Sequence, residues 1–239
     1  MKEFLIFPNN YLSRIIQGYF REFYYHKGDS RGTLEYLLSL KNDFNNIPIS
    51  QLHKACTELK EGLKDEIIEI ASKIEQEGDI AICVVPRSKA KNTYSNQQQL
   101  FSSSINDVVN ELANPITKVV NGVHWITRHT DTRTTHLNKS GYGGKGDMPY
   151  VGITKDTCYI DNEVFGKNII LIDDIYTKTA NIDEDCIQAL LDKGAKTVVF
   201  FAIGKTWHSS DGITTSSKQT SNELNWNNYA TEEDIDNLI

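Results

Sequence analysis

The feature that most constrains the fold is a short apolar run that ends in two adjacent carboxylates. Residues 169–172 read Ile-Ile-Leu-Ile, and Asp173 and Asp174 follow directly. An unbroken run of this kind is typical of a strand that is buried on both faces, as in a parallel sheet. Small polar residues at 177–181 then separate the two acids from a segment with helical periodicity. The stretch therefore predicts a buried parallel strand, a loop and a helix.

Other strand and helix patterns lie on both sides of this unit. Strands are predicted at 79–85, 123–126 and 196–203, and helices begin near Asn96 and at Asp183. The alternation of strands and helices predicts an α/β fold with a mostly parallel, Rossmann-like sheet and flanking helices.

Composition divides the chain into three regions. Residues 1–75 are predicted to be a helical N-terminal region, because apolar residues recur at helical spacing between 15 and 24, and Ser50 is a suitable N-cap for a long later helix. Residues 76–206 form the predicted core. Residues 207–239 form a polar, acidic tail with six acids and one lysine.

Composition also excludes several classes of protein. The formal net charge of −7 argues against nucleic-acid binding, which needs a basic face. No apolar run reaches the length of a membrane span and no signal sequence is recognisable, so we expect a cytoplasmic protein. The four cysteines lie far apart without a Cys-x-x-Cys pair, which argues against a zinc finger and a disulfide framework.

The acids and the loop after the central strand suggest a nucleotide-type site. Ligands of parallel sheets bind beyond the carboxyl ends of the strands. Loop amides and a helix N-terminus can hold an anion. Two acids suit sugar hydroxyls or a hydrated Mg²⁺, which binds one or two carboxylates together with substrate oxygens.

The same stretch resembles the signature of the type I phosphoribosyltransferases. That signature has four apolar residues, two acids, two variable residues and then Thr-Thr-Gly-x-Thr. Asp173 and Asp174 match the acids and Thr177 matches the first threonine, whereas Thr179 stands at the glycine and Asn181 at the last threonine. If position 179 still needs a positive φ, threonine there costs about 1–2 kcal/mol.

The resemblance implies the type I phosphoribosyltransferase fold and a site for phosphoribosyl pyrophosphate (PRPP). In that family the two acids hold the ribose hydroxyls and the loop after them holds the 5′-phosphate. The corresponding loop residues here are Thr177, Lys178, Thr179, Ala180 and Asn181.

A group of cations and a hydroxyl follows the first core strand. Arg87, Ser88 and Lys89 come directly after Val85-Pro86, where two cations could hold a pyrophosphate. A long polar segment at 127–149 has the length of a functional loop.

These segments resemble the ComF-like, amidophosphoribosyltransferase-related branch of the family. The matching stretches are Val85-Pro86, Ser95-Asn96-Gln97 and the loop from Arg128 to Arg133. The N-terminal zinc-binding cysteines of many ComF-like proteins are absent. The resemblance implies that 128–133 closes over PRPP, and it gives a set of residues for pyrophosphate: Arg87, Ser88, Lys89, Arg128 and Arg133.

The implied function is Mg²⁺-dependent transfer of ribose 5-phosphate from PRPP to an acceptor nitrogen. Asp173, Asp174 and Arg128 are the implied catalytic residues, with Mg²⁺ held through the substrate and the two acids. The threonine at 179 keeps open a non-catalytic PRPP- or nucleotide-binding regulatory protein, and hydrolysis of a nucleotide is a third reading. Residues 1–75 are a candidate hood over the acceptor, or a surface for a homodimer or partner protein.

Overall fold

A six-stranded sheet forms the centre of the computed structural model, which describes residues 1–26, 28–75, 77–113, 118–137 and 141–208. In spatial order the strands are β1 (Lys2–Ile6), β2 (Ile16–Tyr24), β8 (Thr197–Thr206), β7 (Asn168–Tyr176), β3 (Ile80–Val84) and β4 (Val119–Asn121). All neighbours are parallel except β1, which pairs antiparallel with β2. The prediction of an α/β fold with a mostly parallel sheet is confirmed.

Helices cover both faces of this sheet. One face carries α1 (Glu35–Lys41), α2 (Ile49–Lys60), α3 (Leu63–Ser72) and α4 (Leu100–Leu112), and the other carries α6 (Ile182–Asp192). The central strand β7 contributes Ile170 and Ile172 to the first layer and Ile169 and Leu171 to the second. Because both faces are buried, the strand sequence is apolar without alternation.

A second, two-stranded sheet lies within the segment between α4 and β7. It pairs β5 (Ile126–Arg128) antiparallel with β6 (Cys158–Ile160), and the short helix α5 (Ile153–Thr157) leads into β6. The strands predicted at 79–85, 168–172 and 196–203 are confirmed as β3, β7 and β8, and the helices predicted near Asn96 and Asp183 as α4 and α6.

The strand predicted at 123–126 is wrong. Residues 122–125 form the turn between β4 and β5, in which Trp125 N donates to the carbonyl of Gly122 at 2.9 Å. Asn121 Oδ1 accepts from Val123 N at 3.1 Å, which favours a turn over a continued strand. Only glycine fits at 122, because a Cβ there would lie 2.8 Å from the Trp125 ring.

The helical prediction for residues 1–75 is wrong in its first part. Residues 16–24 form β2, which lies between β1 and β8 in the main sheet. Tyr19 is buried in one layer and Phe20 in the other, so the apolar residues of this inner strand lie close together in sequence and resemble a helical pattern. From Glu35 onward the region is helical as predicted.

The single long helix predicted after Ser50 is two helices. Pro48, rather than Ser50, precedes the first turn of α2, and this helix ends at Lys60. Gly62 has a φ of 71° and precedes α3. A left-handed glycine at this point lets the chain change direction between the two helices.

No helix within the described ranges combines the length and apolar character that a membrane span requires. The acidic tail predicted at 207–239 lies outside the described residues from 209 onward.

Candidate functional site

The direction of winding changes at the carboxyl ends of β3 and β7, and the region beyond these ends is called the crevice. The chain leaves β3 toward β4 at one edge of the sheet and leaves β7 toward β8 on the other side. Val84 is in register with Ile172, and Val85 N donates to the Ile172 carbonyl at 2.9 Å. Such a switch point is the preferred ligand position in an open α/β sheet. It brings the acid pair, Asp173 and Asp174, next to the loop after β3.

The acid pair lies within β7 rather than after it, and its two side chains have different partners. Asp174 Oδ2 lies 3.3 Å from Nζ of Lys41, the last residue of α1. Asp173 is hydrogen-bonded to the side chain of Asp183, in the first turn of α6. One acid is therefore neutralised by a lysine, while the other shares a proton with a third carboxyl group.

Burial and the neighbouring Asp174 charge raise the pKa of Asp173 to about 7, although Lys41 and Asp183 oppose the shift. The pKa of Asp183 is raised well above its ordinary value by burial and by the charges of Asp173 and Glu184. Burial lowers the pKa of Lys41, but the charges of Asp174, Asp173 and Asp43 outweigh it and leave that pKa raised. The site therefore carries excess negative charge around one fixed cation.

The first turn of α6 contains three buried acids with separate roles. Asp185 accepts from the amides of Gly152 and Thr154 at 2.6 and 2.7 Å, which joins the start of α5 to α6. Glu184 Oε1 accepts from the Tyr176 hydroxyl at 2.8 Å. Asp183 Oδ1 and Glu184 Oε2 are buried without a hydrogen-bond partner. Such orphaned oxygens are costly in a protein interior, so this corner is electrostatically strained.

The loop 177–181 differs in shape from the expectation for a glycine at 179. The left-handed residue is Asn181, with a φ of 56°, and Thr179 has no positive φ. Asparagine tolerates this conformation better than a β-branched residue does. Thr177 Oγ1 pairs with Thr206 Oγ1 at 2.8 Å, and Lys178 and Thr179 are exposed. The departure from the family pattern is thus accommodated by the backbone without strain at Thr179.

Arg87, in the loop after β3, is held by groups of the protein. Its Nη1 donates to the Gln98 carbonyl at 2.6 Å and its Nη2 to Asp43 at 2.9 Å. The guanidinium also stacks on Tyr94, 4.4 Å from the ring centre. Asp43 in turn accepts from His136 Nε2 at 2.9 Å. The end of α1 is therefore connected through Asp43 to both loops that flank the crevice.

Lys89 and Ser88 fix the long segment after β5. Lys89 Nζ donates to the carbonyls of Thr132, Gly143 and Lys145 at 2.5, 3.2 and 2.7 Å. The carbonyl of Ser88 accepts from Thr132 N at 2.7 Å. The loop expected to move over PRPP is docked onto the loop after β3 in this structure.

Arg128 is buried, with 4% of its surface exposed, and acts as a support. Its Nε donates to the Arg87 carbonyl at 2.7 Å and its Nη1 donates to the Thr157 hydroxyl. Arg133 N donates to the carbonyl of Asp147 at 2.9 Å, so that residue also belongs to the docked loop. The proposed pyrophosphate residues thus come together around one loop junction, with Arg87, Lys89 and Arg128 engaged in internal contacts.

Four residues near the crevice were not predicted from sequence: Lys41, Asp43, His136 and Asp183. Lys41 ends the short helix α1 and Asp43 lies two residues beyond it, and no spacing connects either residue to β7 or β3. Asp183 stands at the start of a predicted helix, where a carboxylate is favourable whatever else it contacts. Its burial beside Asp173 depends on how α6 packs against the sheet.

The donor set is compatible with Mg²⁺ held mainly through a substrate. Asp173 and Asp174 offer carboxylate oxygens at the crevice. Burial and, after it, the Asp174 charge raise the pKa of Asp173, and a bound cation would favour its charged form. Among the described residues, no group of three or more His, Cys, Asp or Glu side chains has the geometry of a metal site.

Comparison with known proteins adds no assignment, because no protein-family model matches the chain and a search of curated proteins found no match.

Proposed function

We propose that the chain is a Mg²⁺-dependent phosphoribosyltransferase that moves ribose 5-phosphate from PRPP to an acceptor nitrogen and releases pyrophosphate. The observation that carries the proposal is the meeting of the acid pair with the Arg87–Lys89 loop at the switch point between β3 and β7. A phosphorylated sugar with a pyrophosphate group has complementary chemistry at both ends.

In this proposal each group positions or neutralises a part of PRPP. Asp173 and Asp174 accept hydrogen bonds from the ribose hydroxyls, and the loop 177–181 holds the 5′-phosphate. Arg87, Ser88 and Lys89, with Arg128 and Arg133, hold the pyrophosphate, and the four cations neutralise it as the bond from ribose C1 to its oxygen breaks. The acceptor nitrogen forms the new bond to C1 and loses a proton. Such catalysis depends on positioning and charge, without a protein nucleophile.

Mg²⁺ would bind pyrophosphate and ribose oxygens together with Asp173 or Asp174, and it would supply charge neutralisation for the leaving group. Lys41 already neutralises Asp174. Substrate binding would therefore exchange this internal ion pair for contacts with the ribose and the metal.

A non-catalytic binding module is the second candidate, and a specific observation favours it. The cations of the loop after β3 are bound to Asp43, Gln98 and three backbone carbonyls, so their charge is already partly used by the protein. A protein that senses PRPP or a nucleotide without turnover would tolerate this arrangement.

Pyrophosphate release from PRPP and Mg²⁺, with a panel of nitrogen acceptors, distinguishes these two candidates. We expect Asp174→Asn to lower turnover by about a hundredfold or more while the protein stays folded. Asp107→Asn is the matched control, because it removes an exposed carboxylate on α4.

A thermal shift with PRPP and Mg²⁺ gives the second readout. A ligand at about a hundred times its Kd adds roughly 2.7 kcal/mol to the stability of the folded state. A thermal shift without pyrophosphate release would favour the binding module over the enzyme. The absence of both would overturn the PRPP assignment.

A further inference from the structure

A basic pocket lies on the β4 side of β3, apart from the acid pair. It is bounded by the end of β3, the start of α4 and the turn between β4 and β5. Neither Asp173, Asp174 nor any residue of 177–181 lines it. The cavity measures about 80 Å³, which suits one small ring rather than a nucleotide.

The lining of this pocket combines an apolar floor with cations. Apolar surface comes mainly from Val84, Phe101, Val123 and Ile126, and the cations are Arg87, Lys89, Lys91 and Arg128. No aspartate or glutamate belongs to the lining, although the chain as a whole has a net charge of −7. The pocket therefore concentrates positive charge in an acidic protein.

Two of these cations are held by neutral groups of the protein: Lys89 donates to three carbonyls, with the charge of Asp131 nearby, and Arg128 donates to the Arg87 carbonyl and the Thr157 hydroxyl. Arg87 is paired with Asp43, whereas Lys89, Lys91 and Arg128 form no ion pair among the residues that the structure describes. Lys91 Nζ lies 3.5 Å from His124 Nδ1 at the mouth of the pocket. Partial burial and the Lys91 charge lower the pKa of His124, so this imidazole is neutral near pH 7 and leaves Lys91 as the cation.

We infer that this pocket binds a small planar anion, an aromatic ring that bears a carboxylate or similar oxyanion. The ring would lie on the apolar floor, and the oxyanion would face Lys91, while Arg87, Lys89 and Arg128 add positive charge to the surroundings. An apolar pocket with a few convergent polar groups is the usual form of a small-molecule site. The inference goes beyond the proposed function, because binding here needs neither PRPP nor the acid pair, although the pocket shares Arg87, Lys89 and Arg128 with the residues proposed for pyrophosphate.

Three small molecules test separately the role of the apolar floor and the role of the cations. Benzoate has both ring and charge, benzamide has the ring without the charge, and acetate has the charge without the ring. We would titrate each into ¹⁵N-labelled full-length protein at constant ionic strength and follow amide shifts by NMR. Benzoate should bind in the millimolar range, as expected for a ligand of its size, with the largest shifts at Lys91, His124 and Thr127.

A pair of α4 variants provides the charge control. Ser102 lines the pocket and Ser103, one position further along the same helix turn, is exposed and outside it. Ser102→Glu should weaken benzoate binding about tenfold or more, because it places a like charge beside the ligand. Ser103→Glu adds the same charge to the same helix and should change the affinity by less than about twofold.

Several outcomes would overturn the inference. Equal affinity for benzamide would remove the role of the cations, and equal affinity for acetate would remove the role of the apolar floor. Equal loss in Ser102→Glu and Ser103→Glu, or shifts elsewhere in the molecule, would place the site outside this pocket. No binding by any probe at tens of millimolar would exclude it. All of these results are independent of whether PRPP binds.

Discussion

Asp173 and Asp174 are neighbours in sequence, yet the fold gives them opposite electrostatic surroundings. Asp174 faces the lysine at the end of α1, and Asp173 faces a second carboxyl group in α6. The two acids therefore differ in their partners: Asp174 is ion-paired with Lys41, and Asp173 is hydrogen-bonded to Asp183.

The raised pKa of Asp173 predicts a pH-dependent stability. Its folded-state pKa of about 7 exceeds the ordinary value of 3.8, so the native state retains a proton that the unfolded chain releases. The associated stability is fully present below about pH 4 and is lost as the pH rises through 7. Asparagine has a similar shape to aspartate but does not titrate, so Asp173→Asn does not lose stability in this way as the pH rises.

We therefore expect Asp173→Asn to gain on the order of 2 kcal/mol relative to wild type between pH 5 and pH 8. Urea unfolding in EDTA at a series of pH values measures the difference. Asp107→Asn, at an exposed site, should show a nearly constant difference across the same range. A constant difference for Asp173→Asn as well would mean that the proton is not shared at this site.

For these residues, the sequence alone could predict the two acids but not the side chains that contact them. Asp173 and Asp174 are identifiable because an apolar run ends in them. Lys41 and Asp183 reach them from separate helices, and their positions depend on how those helices pack. The left-handed residue of the next loop was also unpredictable, since the strain expected at Thr179 is avoided by Asn181.

Among the elements, the long segment after β5 differs most from expectation. Its length predicted a functional loop, and its position beside the crevice fits that role. The structure docks it through Lys89, whose ammonium group binds three carbonyls of the segment. Sequence could not predict this contact, because one lysine carries no signal of the backbone groups that it will bind.

Removing the Lys89 ammonium group should release this segment. We expect Lys89→Met to increase hydrogen exchange of residues 130–137 by about tenfold or more, because hydrogen bonds to a charged group contribute about 1.5–3 kcal/mol. Lys91→Met is the control: this exposed lysine is two residues away and its ammonium group contacts His124 rather than the segment. Exchange measured by mass spectrometry checks both variants, and equal protection in the two would show that the segment is held by its other contacts.

For the whole molecule, the sheet divides the apolar core into two layers. Phe200 on β8 is fully buried in the layer beneath α6. We expect Phe200→Ala to lower the free energy of unfolding by about 3–5 kcal/mol. Phe165→Ala, at a side chain that is 75% exposed, should lower it by less than about 1 kcal/mol. Urea unfolding compares the two, and similar losses would contradict the assignment of the core.

The central strands and their parallel pairing were predictable from sequence, whereas the edge of the sheet was not. β3, β7 and β8 are short apolar runs with helices between them, and that pattern favours a parallel sheet. β2 is buried on both faces, so its apolar residues lack the alternation that marks a half-buried strand. Its neighbour β1 is identified as a strand only by the pairing with β2.

The parallel pairing of β2 with β8 joins the two ends of the described chain. Strand 16–24 lies beside strand 197–206, so it finds its partner only after almost all of the intervening sequence has been synthesised. Until then β1 and β2 form at most an isolated hairpin with apolar residues open to water, which invites association with other chains. Contacts between such distant segments also slow folding. We therefore expect the nascent protein to depend on chaperones until β8 has left the ribosome.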